Sequence, residues 1–185
     1  MLLIPGILAS RFTPQGDFES IATVTVGSGG AANVEFTSIP GTYQHLQIRA
    51  IGRNTTAATG LDGVFAQFNS DTGSNYARHN LIGNGTSASA SATTSTTVMV
   101  FGQIPKNNET ADRFGVFVCD ILDYANTNKY TTTRSLLGTD LNGSGEVRLT
   151  SGLWQNSAAV TSIKLTCETN NFAQYSHFAL YGIKG

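Results

Sequence analysis

Residues 113–137, with the sequence RFGVFVCDILDYANTNKYTTTRSLL, constrain the fold of this chain more than any other stretch. An apolar run at 114–122 is followed by a polar segment at 123–129 and then by a threonine-rich run. Phenylalanine, valine, isoleucine and threonine fit a pleated strand, whereas asparagine and aspartate between them permit a turn. The pattern predicts a β-hairpin. Because its first arm is apolar at both alternating sets of positions, we expect it in the middle of a sheet covered on both faces.

Length and composition favour one soluble all-β domain. The chain has 185 residues, within the range of a single β-sandwich, and neither an internal repeat nor a linker divides it. Only 12% of the residues are charged and the formal net charge is −1, without a basic run. This charge pattern predicts no binding to nucleic acid and no attraction to a membrane surface. A weakly charged surface rich in Gly, Ser, Thr and Asn is typical of an extracellular or virion-surface β protein.

The first seventeen residues, MLLIPGILASRFTPQGD, predict an extended apolar arm. Pro5 and Pro14 exclude a long helix or a regular central strand, and no positive region precedes the apolar residues, so neither a signal peptide nor a membrane span is expected. An arm this apolar is costly to leave in water, which predicts packing against its own domain or against a partner subunit. The candidate docking residues are Leu2, Leu3, Ile4, Ile7, Leu8 and Phe12.

Residues 18–185 are predicted to form one jelly-roll-like β-sandwich of about 8–10 antiparallel strands, because short alternating segments are separated by Gly, Asn and Ser clusters. Residues 18–26 and 33–39, joined by Gly-Ser-Gly-Gly, predict a second hairpin. The spacing of Tyr76, Ala77 and Leu81 favours one helical turn within 74–83. The stretch TSASASATTSTT at 86–97 predicts an exposed edge or loop.

Catalytic chemistry is not expected. The three histidines, His45, His79 and His177, accompany no Gly-x-Ser-x-Gly elbow, and neither cysteine lies in an electropositive context. A carboxylate pair for glycoside cleavage could come only from a few acids, for which turn formation is the favoured role. Those acids are Asp120, Asp123, Asp140 and Glu146.

Metal and cofactor sites are not expected either. The segment at 69–75, NSDTGSN, resembles the start of a calcium loop, but Asn80 stands where the bidentate glutamate is needed, so a polar turn is favoured. No zinc spacing and no phosphate-binding loop is found. Cys119 and Cys167 lie in apolar strand-like runs, where buried free thiols are favoured over a disulfide.

Aromatic side chains give one further lead. Tyr124, Tyr130 and Trp154 are candidates for stacking on sugar rings, and Tyr76 and His79 could extend that surface. The alternative is that these residues fill the core of the sandwich, as large aromatic residues usually do. The sequence favours the core for them and leaves glycan binding as the alternative.

Several strings resemble a family of tailed-bacteriophage virion proteins of the tail-fibre or decoration type. They are IATVTVGSGG at 21–30, IPGTY at 39–43, HLQIR at 45–49, FNSDTGSNY at 68–76, DILDYANTNK at 120–129 and the ending YSHFALYGIKG at 175–185. The resemblance implies a structural protein of the virion, made in the host cytoplasm and placed on the particle surface, and it implies no catalytic residues.

The short chain, without a fibre stalk, favours a capsid decoration or cement protein that docks on capsid or other virion proteins through its arm. Cement sites commonly lie on three-fold positions, so a homotrimer is expected. The alternatives are a tail-fibre or spike tip that binds a host receptor or surface glycan and, more remotely, a polysaccharide depolymerase.

Overall fold

The computed structural model describes residues 17–185, which form twelve antiparallel strands in two sheets and contain no helix. The strands are β1 (Phe18–Thr25), β2 (Asn33–Phe36), β3 (His45–Gly52), β4 (Leu61–Phe68), β5 (Tyr76–Gly83), β6 (Ala88–Thr96), β7 (Met99–Pro105), β8 (Gly115–Leu122), β9 (Thr131–Asp140), β10 (Gly145–Trp154), β11 (Ile163–Cys167) and β12 (His177–Ile183). The all-β prediction is confirmed, although twelve strands exceed the 8–10 expected.

The predicted docking arm, residues 1–17, lies outside the described residues except for Asp17. The six docking candidates Leu2, Leu3, Ile4, Ile7, Leu8 and Phe12 all belong to that part, so their role stays a prediction.

The two sheets are unequal. The larger has eight strands in the order β1-β12-β3-β8-β9-β10-β5-β6, and the smaller has four in the order β2-β11-β4-β7. The hairpin predicted at 113–137 is β8 and β9, which pair with Val118 opposite Leu136 at the centre of the larger sheet. Its central position is confirmed. The jelly-roll connectivity stays a prediction.

The expectation that both faces of β8 are covered is wrong for the described residues. The inward side chains Phe117, Cys119 and Ile121 are at most 2% exposed, but the outward Val116 and Val118 are 48% and 38% exposed. The smaller sheet packs only on the inward face, where β7 lies across β8, β9 and β10. The apolar residues on the outward face therefore remain at the surface of the described part of the chain.

The second predicted hairpin is not formed. β1 pairs with β12 in the larger sheet, whereas β2 pairs with β11 in the smaller one. The glycine-rich link between them therefore carries the chain from one sheet to the other. Gly30 has φ +69°, and a Cβ there would lie 2.8 Å from the carbonyl oxygen of Phe172, so this crossing needs glycine. Alternation indicated two half-buried strands correctly, but their partners are distant C-terminal strands.

The helical turn expected within 74–83 is also wrong, because this segment is strand β5. Tyr76 and Asn80 both point inward, which places a polar residue where alternation leads one to expect an apolar one. Asn80 is satisfied there: its amide donates to Ser91 Oγ at 3.1 Å and accepts from Thr150 Oγ1 at 3.0 Å. The following stretch forms the edge strand β6, and its residues are exposed or partly exposed, as predicted for 86–97.

The threonine-rich strand β9 ties the two sheets together. β7 pairs only with β4, so one of its edges has no strand partner among residues 17–185. The hydroxyl of Ser135 donates to the carbonyl of Phe101, and that of Thr139 donates to the carbonyl of Gln103 at 2.8 Å. These inward hydroxyls satisfy backbone acceptors of β7 and protect its edge from pairing with another chain.

Candidate functional site

The outward side of the larger sheet carries a continuous group of apolar side chains. Strand pairing places Val118 opposite Leu136, Leu136 opposite Leu149 and Leu149 opposite Leu81, so one row crosses four strands. A second row runs from Ile51 through Val116 and Gly138 to Val147. We call this surface the apolar face, and it consists of Ile51, Leu81, Val116, Val118, Leu136, Val147 and Leu149.

Each side chain of the apolar face is between 38% and 61% exposed, so about half of it could still be buried. Burying a whole Val, Leu or Ile side chain contributes roughly 1.5–3 kcal/mol, so half of one contributes about 0.8–1.5 kcal/mol. Seven such residues offer about 5–10 kcal/mol to anything that covers them. Scattered surface leucines are normal, whereas a contiguous group of this kind marks an interaction site.

Polar groups border the apolar face. Asp120 accepts from Arg134 at 2.9 Å and from Gln47 at 2.7 Å, in the row next to Val118 and Leu136. On the side of β12, the guanidinium of Arg49 lies 5.0 Å from the ring of Phe18. An apolar centre within a polar rim is the usual anatomy of a protein interface.

The sheet is large enough for such an interface. Eight strands spaced at about 4.8 Å, with roughly eight residues each at about 3.4 Å, give a face of roughly 900 Å². Standard interfaces bury about 800 Å² on each partner. Sequence reasoning read the apolar outward residues of β8 as buried, so it missed this surface. The sequence signal for this surface is that the inward and the outward positions of β8 are both apolar.

Two of the three glycan-stacking candidates are core residues, which corrects their assignment. Trp154 is 0% exposed, stacks on Tyr76 with 6.4 Å between ring centroids, and meets Phe68 edge-on at 5.5 Å. Tyr124 is 1% exposed and its hydroxyl donates to the carbonyl of Pro40. Neither ring has a free face for a sugar, because both lie in the interior of the sandwich.

Tyr130 is the third candidate, and it remains exposed, with 53% of its surface accessible. It lies in the turn between β8 and β9, immediately before Thr131, the first residue of β9. The structure leaves its ring available for stacking and brings neither Trp154 nor Tyr124 to the surface beside it.

The four acids considered for glycoside cleavage hold turns and ion pairs. Asp120 pairs with Arg134 as described above, and Glu146 pairs with Arg148 at 2.9 Å. Asp140 Oδ1 accepts from the backbone amide of Asn142 at 2.7 Å, which closes the turn into β10. Asp123 accepts from Lys129 and from Gln44, and these hydrogen bonds lower the pKa of its carboxyl.

The segment that resembled a calcium loop is a polar turn that anchors the tryptophan. Asp71 accepts from the amide of Gly73 at 2.8 Å, from Asn75 at 2.9 Å and from the indole nitrogen of Trp154 at 2.8 Å. Burial alone would raise the pKa of Asp71, but the hydrogen bonds from Asn75, Trp154 and Gly73 outweigh it, so the pKa is lowered. All three hydrogen-bond donors stabilise the ionised carboxylate of Asp71 and thereby the turn.

Both cysteines are buried free thiols, as predicted. Desolvation raises the pKa of Cys119 well above its ordinary value and raises that of Cys167 to about 12. Such thiols stay protonated and are poor nucleophiles and poor metal ligands.

Residues 17–185 bring together no group of three or more His, Cys, Asp or Glu side chains that could hold a metal ion. The same part of the chain contains no helix that could span a membrane. No protein-family model, curated protein or solved structure matches this chain.

Proposed function

We propose that this chain is a structural protein of a bacteriophage virion, a capsid decoration or cement protein that acts by binding other subunits. The observation that carries the proposal is the apolar face, with seven half-exposed aliphatic side chains on one side of the larger sheet. A contiguous apolar surface suits a lasting contact with another protein surface, and the resemblance to virion proteins of the decoration type supplies the setting. The protein is then made in the host cytoplasm and resides on the particle surface.

The apolar face binds a neighbouring copy of the same chain in this proposal. Two properties support a second copy as the occupant. The outward side of the larger sheet, to which the apolar face belongs, is as large as one side of a standard interface requires, as estimated above. The chain also carries a net charge of only −1, so identical copies do not repel one another strongly. The proposed assembly of these jelly-roll-like subunits is a homotrimer, because three-fold positions are the common sites of cement proteins.

In this proposal the arm at 1–17 attaches the protein to the particle by binding capsid or other virion proteins. The composition of that arm supports this role, since it offers six large apolar residues for burial at about 25 cal/mol per Å². Removing residues 1–17 is expected to leave the sandwich folded and to abolish its binding to virus particles from which the protein has been stripped. Loss of the folded state would assign the arm to the core of its own domain.

Copy number on the particle tests the proposal. Quantitative mass spectrometry of purified virions is expected to find on the order of hundreds of copies of this chain, as repeated sites on a symmetric shell require. A few tens of copies or fewer would support a tail-fibre or spike protein instead.

A receptor-binding tip protein is the second candidate function, because Tyr130 presents an exposed aromatic ring, 53% accessible, beside the polar turn between β8 and β9. Particle images with labelled subunits separate the two candidates, since a tip protein is confined to the fibre ends. The remote alternative, a polysaccharide depolymerase, predicts the release of reducing ends from host polysaccharide, which a cement protein does not cause.

A further inference from the structure

Tyr175 combines two properties that a purely structural residue avoids. Its ring is 69% exposed, and its backbone has φ 70°, in the left-handed region. Nine non-glycine residues of the described range have positive φ, and the other eight are all Asn, Asp or Ser. Small polar residues tolerate this conformation, whereas a bulky aromatic residue is strained by it. Glycine would serve the turn better, so the tyrosine ring itself calls for an explanation.

The turn that carries Tyr175 cannot relax. The amide of Tyr175 donates to the carbonyl of Val26 at 3.0 Å, and the amide of Ala173 donates to the carbonyl of Arg53 at 2.8 Å. Ser176 is fully buried, and its hydroxyl accepts from the amide of Arg53 at 3.1 Å. These bonds fix the backbone on both sides of Tyr175, so the point from which its side chain leaves the turn is fixed.

An open cavity of about 280 Å³, which Tyr175 helps to line, lies between the turn and residues 107–114. The buried side chain of Arg53 holds its far wall in place. One terminal nitrogen donates to the carbonyls of Thr110 and Arg113 at 3.0 and 2.9 Å, and the other donates to those of Asn107 and Glu109 at 2.8 and 2.7 Å. With four carbonyls tied to one guanidinium, the wall is preformed, as it is in most small-molecule sites.

The groups around the cavity suit a sugar. The apolar side of a pyranose ring stacks on an aromatic face, which Tyr175 offers, and sugar hydroxyls pair with amide and carboxylate groups such as those of Asn107, Gln174 and Asp112. Two acids and one arginine line the cavity, so its formal charge is −1, which disfavours anionic sugars.

We propose that this cavity binds a single uncharged sugar residue of a surface glycan, with Tyr175 as the stacking platform. The site lies in the turn before β12 and contains no residue of the apolar face, so it does not depend on the proposed assembly. A particle coated with such subunits would hold weakly, and at many points, to a glycan-covered surface.

The test uses the full chain on an array of neutral and acidic glycans. Saturation-transfer NMR then follows, with the methyl glycosides of glucose, galactose, mannose and N-acetylglucosamine at millimolar concentration. The wild-type protein is expected to bind at least one neutral sugar. Tyr175→Ala should weaken that affinity by about tenfold, which corresponds to the loss of one stacking contact. Tyr175→Phe should keep it, because the ring face is retained. Phe18→Ala is the control, since it removes another exposed aromatic ring that does not line the cavity, and it should leave binding unchanged.

Tyr175→Gly separates binding from folding. If the ring serves a ligand, glycine relieves the backbone strain, so the melting temperature stays the same or rises by about 2–4 °C while sugar binding is lost. A clear fall in the melting temperature would show that the ring supports the fold. The proposal also fails if no neutral sugar binds, if acidic glycans bind better, or if Phe18→Ala weakens binding as much as Tyr175→Ala does.

Discussion

Replacing the two leucines at the centre of the apolar face should separate the subunits without unfolding them. Leu136 and Leu149 lie opposite each other on β9 and β10 and are 57% and 43% exposed. Burying the remaining half of each contributes about 0.8–1.5 kcal/mol, so Leu136→Ser with Leu149→Ser removes about 2–3 kcal/mol from each interface. Each interface is therefore weakened by about 30- to 150-fold, and because a closed trimer has three interfaces, its overall dissociation constant should rise by roughly 10⁴- to 10⁶-fold.

Sedimentation equilibrium over a wide concentration range measures that constant. The wild-type protein is expected to sediment at about three times the chain mass of 19.5 kDa. The double variant should remain monomeric up to much higher protein concentrations than the wild type. Urea unfolding should change little when both proteins are compared at a concentration at which they are monomeric, because both side chains point to solvent and serine tolerates an outward strand position. Tyr175→Gly serves as the control that leaves assembly unchanged. A monomeric wild type, or an unaltered dissociation constant in the double variant, would refute the assignment of this face.

Three further results are expected from the interior. Asp71→Ala should lower the free energy of unfolding by about 2–4 kcal/mol, measured by urea titration of the single tryptophan's fluorescence, because it leaves the buried indole N–H of Trp154 without its acceptor. The folded-state pKa of Asp71 is lowered, so the part of its contribution that depends on ionisation is complete above an unfolded pKa of roughly 4 and is lost as the pH falls through the folded value. The difference in stability between wild type and Asp71→Ala should therefore narrow in acid. A constant difference down to pH 2 would contradict this. Cys119 and Cys167 should react with a thiol reagent at pH 8 only after denaturation, and rapid labelling of the native protein would contradict their burial.

Local patterns were sufficient to predict most strands but not their partners. The hairpin of β8 and β9 could be read directly, because turn residues and short separation leave few other pairings. β1 and β2 gave an equally clear alternation and a glycine-rich link, yet each pairs with a C-terminal strand more than a hundred residues away. Nothing local distinguishes these outcomes, because the pairing depends on how the two sheets close around one core.

The position of a strand in the sheet also affects the pattern of polar and apolar residues in its sequence. The sequence of β5 suggests a helical turn through the spacing of Tyr76, Ala77 and Leu81, while the polar inward residues Arg78 and Asn80 hide the alternation of a strand. Asn80 is acceptable there because Ser91 and Thr150 satisfy its side chain. The prediction of glycan-stacking residues was wrong for two of three rings for a related reason. The sequence does not distinguish an aromatic ring at the surface from one that fills the core, so buried Trp154 and exposed Tyr130 were equally good candidates.

The fold itself does not require the apolar face. In the adjacent row of outward positions on β9 and β10, Arg134 and Ser151 stand opposite each other, in the same strands and with the same backbone pairing as Leu136 and Leu149. The sheet therefore accepts charged and polar residues at its outward positions. The outward leucines contribute little to the core, and while exposed they carry a risk of unspecific aggregation. A residue type that the strand does not need, and that water disfavours, fits the proposal that a neighbouring copy of the chain covers this face.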